Sequence, residues 1–199
     1  TLLINTTGTS TTATGLLPST TYYWKVISKN SAGSATGCTE FSFTTSAPTY
    51  CTAGATSTSF EKITNVTFAD INQSSTATAG YEDFTTTVGN VTAGSTYTFT
   101  ATFTGTSYAS DQVLVWIDLN NDKDFNDVGE QVLVTATKKS PWTGSITIPA
   151  TATIGATRMR VRLHDSSLTP NTTPCGTSSF GQVEDYTLNI GTLAVSDVS

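Results

Sequence analysis

Thr96-Tyr97-Thr98-Phe99-Thr100-Ala101-Thr102-Phe103-Thr104 places an apolar side chain at every odd position and a threonine at every even one. Successive side chains of a strand point to opposite faces, so this stretch reads as a β-strand with one face in a core and the other in solvent. Runs with a similar pattern recur at 65–71, 83–88, 112–118, 130–135, 144–148, 157–163 and 182–190, each bounded by clusters of Gly, Pro, Asn or Ser. That many short strands predicts an all-β fold, an antiparallel two-sheet β-sandwich of jelly-roll type. In Arg158-Met159-Arg160-Val161-Arg162-Leu163 the apolar residues should face the core. The arginines should lie on the solvated face, paired with carboxylates of neighbouring strands.

Composition agrees with exposed strand faces rather than surface helices. Only 12% of the 199 residues are charged, and the Thr and Ser that replace them suit a pleated surface. The formal net charge of −6, with nine Lys and Arg, supplies no basic footprint for nucleic acid and no polybasic patch for anionic lipid. No apolar run approaches the roughly 20 residues of a membrane helix, and the first residues do not read as a signal peptide. A mature or truncated piece of a secreted protein is expected, with no nucleic-acid partner and no membrane insertion. The three cysteines, Cys38, Cys51 and Cys175, suit an oxidising compartment, and their odd number leaves one without a partner in the chain.

Residues 1–45 read differently from the rest. Leu16-Leu17-Pro18-Ser19-Thr20-Thr21-Tyr22-Tyr23-Trp24-Lys25-Val26 leads into the turn Lys29-Asn30-Ser31-Ala32-Gly33 and then Phe41-Ser42-Phe43. This resembles the last strands of a fibronectin type III domain, with Tyr22 at the position where a buried tyrosine hydroxyl meets nearby backbone. The resemblance implies that strands covering Trp24, Val26, Phe41 and Phe43 belong before Thr1. In such a module Cys38 would pair with a cysteine near the domain's start; the other reading is a buried free thiol. Residues 46–49 form a linker, 50–190 the sandwich, and 191–199 a polar lead-in.

The sandwich resembles the GEVED domain. The resemblance rests on Tyr50-Cys51, on Trp116-Ile117-Asp118-Leu119-Asn120-Asn121-Asp122-Lys123-Asp124-Phe125 with Gly129-Glu130, on Pro174-Cys175-Gly176, and on the closing Gly181-Gln182-Val183-Glu184-Asp185-Tyr186. Gln182 stands where the signature has its first Glu. The resemblance implies a disulfide between Cys51 and Cys175. It also marks Glu184 and Asp185 as a signature pair that either joins a cation or caps a turn.

The strongest local chemistry lies at 118–130, where oxygen-bearing side chains recur at every second residue just after a strand. Calcium takes six to eight hard oxygen ligands, and D-x-N-x-D spacing curls successive carboxylates around one point. The expected Ca2+ ligands are Asp118, Asn120, Asp122, the carbonyl of Asp124 and Glu130. The loop departs from an EF-hand: Lys123 replaces the turn glycine, the acid closing the site is one place late, and no helices flank it. The alternative is an Asx-rich hairpin closed by side chain to backbone bonds.

Catalysis has little to stand on. There is one histidine, His164, expected at an exposed strand end, and no metalloprotease, nucleophile-elbow or phosphate-loop motif. Trp142, after Pro141, and Tyr108 are candidate aromatic contacts for a glycan or a protein; the favoured reading of Trp142 is that it covers the open end of the sandwich. Modules resembling both parts occur together in bacterial proteins exported by the type IX secretion system. The resemblance therefore implies a secreted or cell-surface spacer, engaging that machinery through a sorting domain beyond residue 199. The other expectation is an adhesive module of a secreted enzyme such as a metallopeptidase.

Overall fold

A computed structural model of the chain describes residues 4–168 and 170–192. Every regular element among them is a strand, and the chain divides into two compact units, Thr1–Thr49 and Tyr50–Ser199. All but the first two residues of the polar lead-in at 191–199 lie outside the described residues.

The first unit contains β1 (Thr21–Trp24), β2 (Lys29–Asn30), β3 (Gly33–Ser34) and β4 (Phe41–Thr44). β1 and β4 pair antiparallel, Tyr22 opposite Phe43 and Trp24 opposite Phe41, so these four rings share one face. They stack in pairs with centroids 5.8 and 5.0 Å apart. Trp24, Phe41 and Phe43 stay substantially exposed. The Tyr22 hydroxyl accepts the Leu17 N–H at 2.7 Å and pins the entry to β1. Cys38 is partly buried and unbonded.

The second unit contains β5 (Ala53–Ser57), β6 (Asn65–Phe68), β7 (Ile71–Ser74), β8 (Tyr81–Thr92), β9 (Thr96–Thr102), β10 (Asp111–Ile117), β11 (Gln131–Val134), β12 (Trp142–Thr147), β13 (Gly155–Asp165) and β14 (Gly176–Gly191). One sheet runs β12-β9-β6-β7. The other runs β11-β10-β13-β14-β5, with β8 also on β14. β14 carries β13 antiparallel along one edge; along its other edge β5 and then β8 lie parallel to it.

Between the sheets lies one core. Phe68, Phe99, Ala101 and Ile146 from one sheet meet Val113, Val115, Met159, Val161 and Leu188 from the other. The alternation at 96–104 behaves as read: Phe99 and Ala101 are buried while Thr98 and Thr104 are exposed. β13 corrects the expectation of a solvated arginine face. Its apolar residues do enter the core, but Arg160 and Arg162 on the opposite face are 2% and 0% exposed. That outer face of the larger sheet is covered by the chain's own segments. Tyr50 and Phe125 pack on Leu114 and Trp116, and the Cys51–Cys175 disulfide joins two further covering segments.

Candidate metal centre

Asp118 follows β10 and is completely buried, which a lone carboxylate tolerates only when hydrogen-bonded. One of its oxygens accepts the N–H of Asn121 at 2.6 Å and of Asp122 at 3.2 Å. The other accepts the N–H of Lys123 at 3.1 Å and the Tyr50 hydroxyl at 2.6 Å. Three consecutive backbone donors thus converge on one side chain and wind the loop. The cost falls at Lys123, whose φ of 77° is unusual for a residue with a Cβ. This is the turn position where calcium loops of the EF-hand type use glycine.

Glu130 closes the loop from its other end. Its carboxylate accepts the Leu119 N–H at 2.8 Å and the Asp127 N–H at 3.3 Å. Burial pushes its pKa up, and those two backbone bonds oppose the rise. Phe125 seats the loop on the sheet, stacked on Tyr50 at 5.1 Å with the Arg160 guanidinium 5.0 Å from its ring.

With Asp118 and Glu130 occupied by backbone, Asp122, Asp124 and Asp127 gather at the loop's solvent edge, one ligand oxygen from each within 4.8 Å of the others. The Asn120 amide donates to Asp122 at 3.0 Å and to Asp127 at 2.7 Å, holding two of the three in place. No Lys or Arg forms a salt bridge with them among the described residues. Lys123 turns away to Asn121 and lies 5.5 Å from the Tyr50 ring centre. Three unneutralised carboxylates at this spacing repel one another and can hold a metal ion.

Of the residues expected from sequence, the loop brings the carboxylates of Asp122 and Asp124 together with Asn120 beside them, the side chain of Asp124 rather than its carbonyl joining the group, whereas Asp118 and Glu130 build the loop. Asp127 was missed. Its signal was present as a further acid in the stretch, but strict every-second-residue spacing pointed past it.

Glu184 and Asp185 do not belong to this group. As strand neighbours they face opposite ways. Asp185 meets Arg160, Arg158 and the Tyr81 hydroxyl on the outer face. Glu184 lies inside, accepting the Tyr186 hydroxyl at 2.5 Å. Burial raises the Glu184 pKa to about 7; hydrogen bonds from Tyr186 and Ser75 hold it down, and the charge of Glu82 pushes it further up. Gln182 also faces inward, where its side-chain oxygen accepts the Ile63 N–H at 2.8 Å and its amide meets Ser75. Gly181 sits so close to β13 that a Cβ would lie 2.0 Å from the Leu163 carbonyl oxygen, with φ at 116°. The signature stretch is therefore structural on both faces of the sheet.

One further expectation changes, that of His164, while the reading of Trp142 as a cover for the sandwich core holds. His164 is fully buried rather than exposed. It contacts Gln112 at 3.2 Å, and its pKa is pushed down to about 4 first by burial and then by the Arg162 charge. Trp142 is fully buried as well, its indole N–H donating to the Lys138 carbonyl at 2.8 Å, so its ring is not presented to a ligand. Tyr108 remains 39% exposed, edge-on to Phe60.

Residues 112–189 match the model of the GEVED domain, a small accessory-type domain. The matched stretch runs from β10 through the acidic loop to the signature in β14. No curated protein matches the chain.

Proposed function

We propose that this chain serves as a non-catalytic, calcium-stabilised accessory or spacer module of a secreted or cell-surface multidomain protein. The observation that carries the reading is the Asp122–Asp124–Asp127 group. Its oxygens lie within 4.8 Å of one another on a loop already wound by Asp118 and Glu130. Hard carboxylate oxygens on an exposed loop suit Ca2+, which accepts water and irregular geometry in its shell. Capture of the ion ties the loop more firmly over Tyr50, Phe125 and the outer face of the sheet.

A disulfide between cysteines 124 positions apart supports an oxidising destination. Among the described residues no helix is long and apolar enough to cross a membrane. The sole histidine is held near pKa 4 inside the sheet, a poor general base at neutral pH. The Tyr22 to Leu17 bond supports reading residues 1–45 as the end of a fibronectin type III module. Export through the type IX machinery, by a sorting domain beyond residue 199, completes the proposal.

Thermal unfolding in calcium and in chelator tests it. An ion present at about 100 times its dissociation constant adds ~2.7 kcal/mol, and in a domain of this size that raises the midpoint by about 5–10 °C. Asp124→Asn should remove the difference. Coincident curves for the unaltered chain in both buffers would refute the stabilising ion.

A further inference from the structure

Beside the Cys51–Cys175 disulfide the second unit carries a cleft of about 200 Å3, lined by Tyr50, Cys51, Ala53, Tyr81, Arg158 and Arg160. These residues come from β13, from the first position of β8 and from the segment leading into β5. The two arginines are engaged unequally. Every guanidinium nitrogen of Arg160 is bonded, to Asp185 and to the carbonyls of Cys51 and Pro174. Arg158 makes one side-chain hydrogen bond among the described residues, a long 3.4 Å contact from Nη1. Its acceptor is an Asp185 oxygen that already takes Arg160 at 2.7 Å and the Tyr81 hydroxyl at 3.1 Å.

Nε and Nη2 of Arg158 are therefore open among the described residues. The side chain is 28% exposed, and its guanidinium carbon lies 4.3 Å from the centre of the Tyr50 ring. Tyr50 is itself fixed, by its hydroxyl on Asp118 and by stacking on Phe125, so the guanidinium is placed before any ligand arrives. A planar fork with two open donors matches the two oxygens of a carboxylate.

Charge around the cleft points the same way. Asp185 is matched by Arg160, and Asp118 is taken up by three backbone N–H groups besides Tyr50. Asp83, opposite Asp185 on β8, accepts the Thr85 N–H at 2.8 Å and forms no salt bridge with Arg158 among the described residues. The Lys123 ammonium lies 5.5 Å from the Tyr50 ring centre. A chain with nine Lys and Arg and a net charge of −6 thus gathers Arg158, Arg160 and Lys123 around one cleft.

We propose that this cleft binds an acidic sugar, a uronate residue whose carboxylate takes the open fork of Arg158. The cleft's volume of about 200 Å3 is below the roughly 300–1,000 Å3 of sites for drug-sized ligands, which limits the occupant to about one sugar ring. The Tyr81 hydroxyl and the exposed Thr52 at the rim are left for the ring hydroxyls. Binding here needs no ion on the loop 118–130.

Calorimetric titration of the whole chain tests this, with short oligomers of galacturonate, glucuronate and mannuronate as probes and maltotriose as the neutral control. EDTA in the buffer keeps a uronate from bridging through an ion on the loop. At least one oligouronate should bind saturably, more weakly as salt rises, while maltotriose does not. Arg158→Gln should weaken that binding about tenfold or more, and Arg158→Lys, which keeps the charge without the fork, should weaken it comparably. Lys139→Gln, outside the cleft, should not. Should Arg158→Gln lower the melting midpoint, Thr52→Phe, which crowds the cleft from an exposed position, should block binding in a stable chain. Failure of every oligouronate to bind overturns the inference, as does equal affinity in Arg158→Gln and the unaltered chain. Binding of a peptide's free C-terminal carboxylate through Arg158, with none of the oligouronates bound, overturns the sugar as the occupant.

Discussion

Arg160 and Asp185 meet side by side on the covered face of the larger sheet, Nε to one carboxylate oxygen at 2.7 Å and Nη2 to the other at 2.7 Å. The two residues are opposite one another on β13 and β14. The guanidinium's remaining nitrogen donates to the carbonyls of Cys51 and Pro174, both at 2.9 Å. One signature acid therefore fixes an arginine that grips both segments joined by the disulfide. Arg162, one step along, has no carboxylate partner among the described residues but likewise grips covering segments, donating to the carbonyls of Gly54 and Gly176.

Breaking this pair from one side leaves a buried charge unmatched. Asp185→Asn should destabilise the second unit by about 3–5 kcal/mol, measured by urea unfolding. Replacing both residues with apolar ones of similar size should cost less than either single change, because no charge is then stranded.

Removing the disulfide should act on the same segments through the unfolded chain. With the two cysteines 124 positions apart, the Cys51→Ser/Cys175→Ser variant should lose about 2–5 kcal/mol. Cys38→Ser, in the first unit, should leave unfolding of the second unit unchanged.

Gly181 is fixed by contact as well as by conformation. A methyl group there meets the Leu163 carbonyl at 2.0 Å at a φ of 116°, so Gly181→Ala should cost about 2–6 kcal/mol through strain and overpacking. Denaturant unfolding measures the loss, and amide exchange along β13 and β14 should rise with it.

Glu184 should make stability depend on pH. Its folded pKa, near 7, lies above its ordinary 4.5, so the folded state holds the extra proton between those values. The stabilisation is complete below about pH 4.5, is lost as pH rises through 7, and stays lost above it. Glu184→Gln keeps the shape without the charge. Its stability advantage over the unaltered chain should grow between pH 4.5 and 7 toward about 3 kcal/mol.

Strand order, however, was less legible than strand position. The alternation at 96–104 and the arginine-spaced run at 158–163 located β9 and β13, because period-two patterning is a local property. β5 escaped: Ala53-Gly54-Ala55-Thr56-Ser57 carries no large apolar side chain, and its place is set by the disulfide and by the Arg162 bond to Gly54. Periodicity showed that the arginines oppose the core but not what covers them, since Tyr50, Phe125 and the 174–176 segment come from distant parts of the chain. In the loop, spacing identified the acids yet could not divide them into builders and free ligands. That division depends on how many backbone N–H groups each carboxylate takes up: Asp118 accepts three and Glu130 two, whereas Asp122 and Asp124 accept one each.

Asp122, Asp124 and Asp127 are proposed to hold a divalent ion at the loop's solvent edge. Diffraction from crystals grown in millimolar calcium, with anomalous differences collected, tests it most directly. An anomalous peak bound by Asp122, Asp124 and Asp127 is expected, with Asp118 and Glu130 still on backbone N–H groups. A well-ordered loop with those three carboxylates spread into solvent and no peak between them would contradict it.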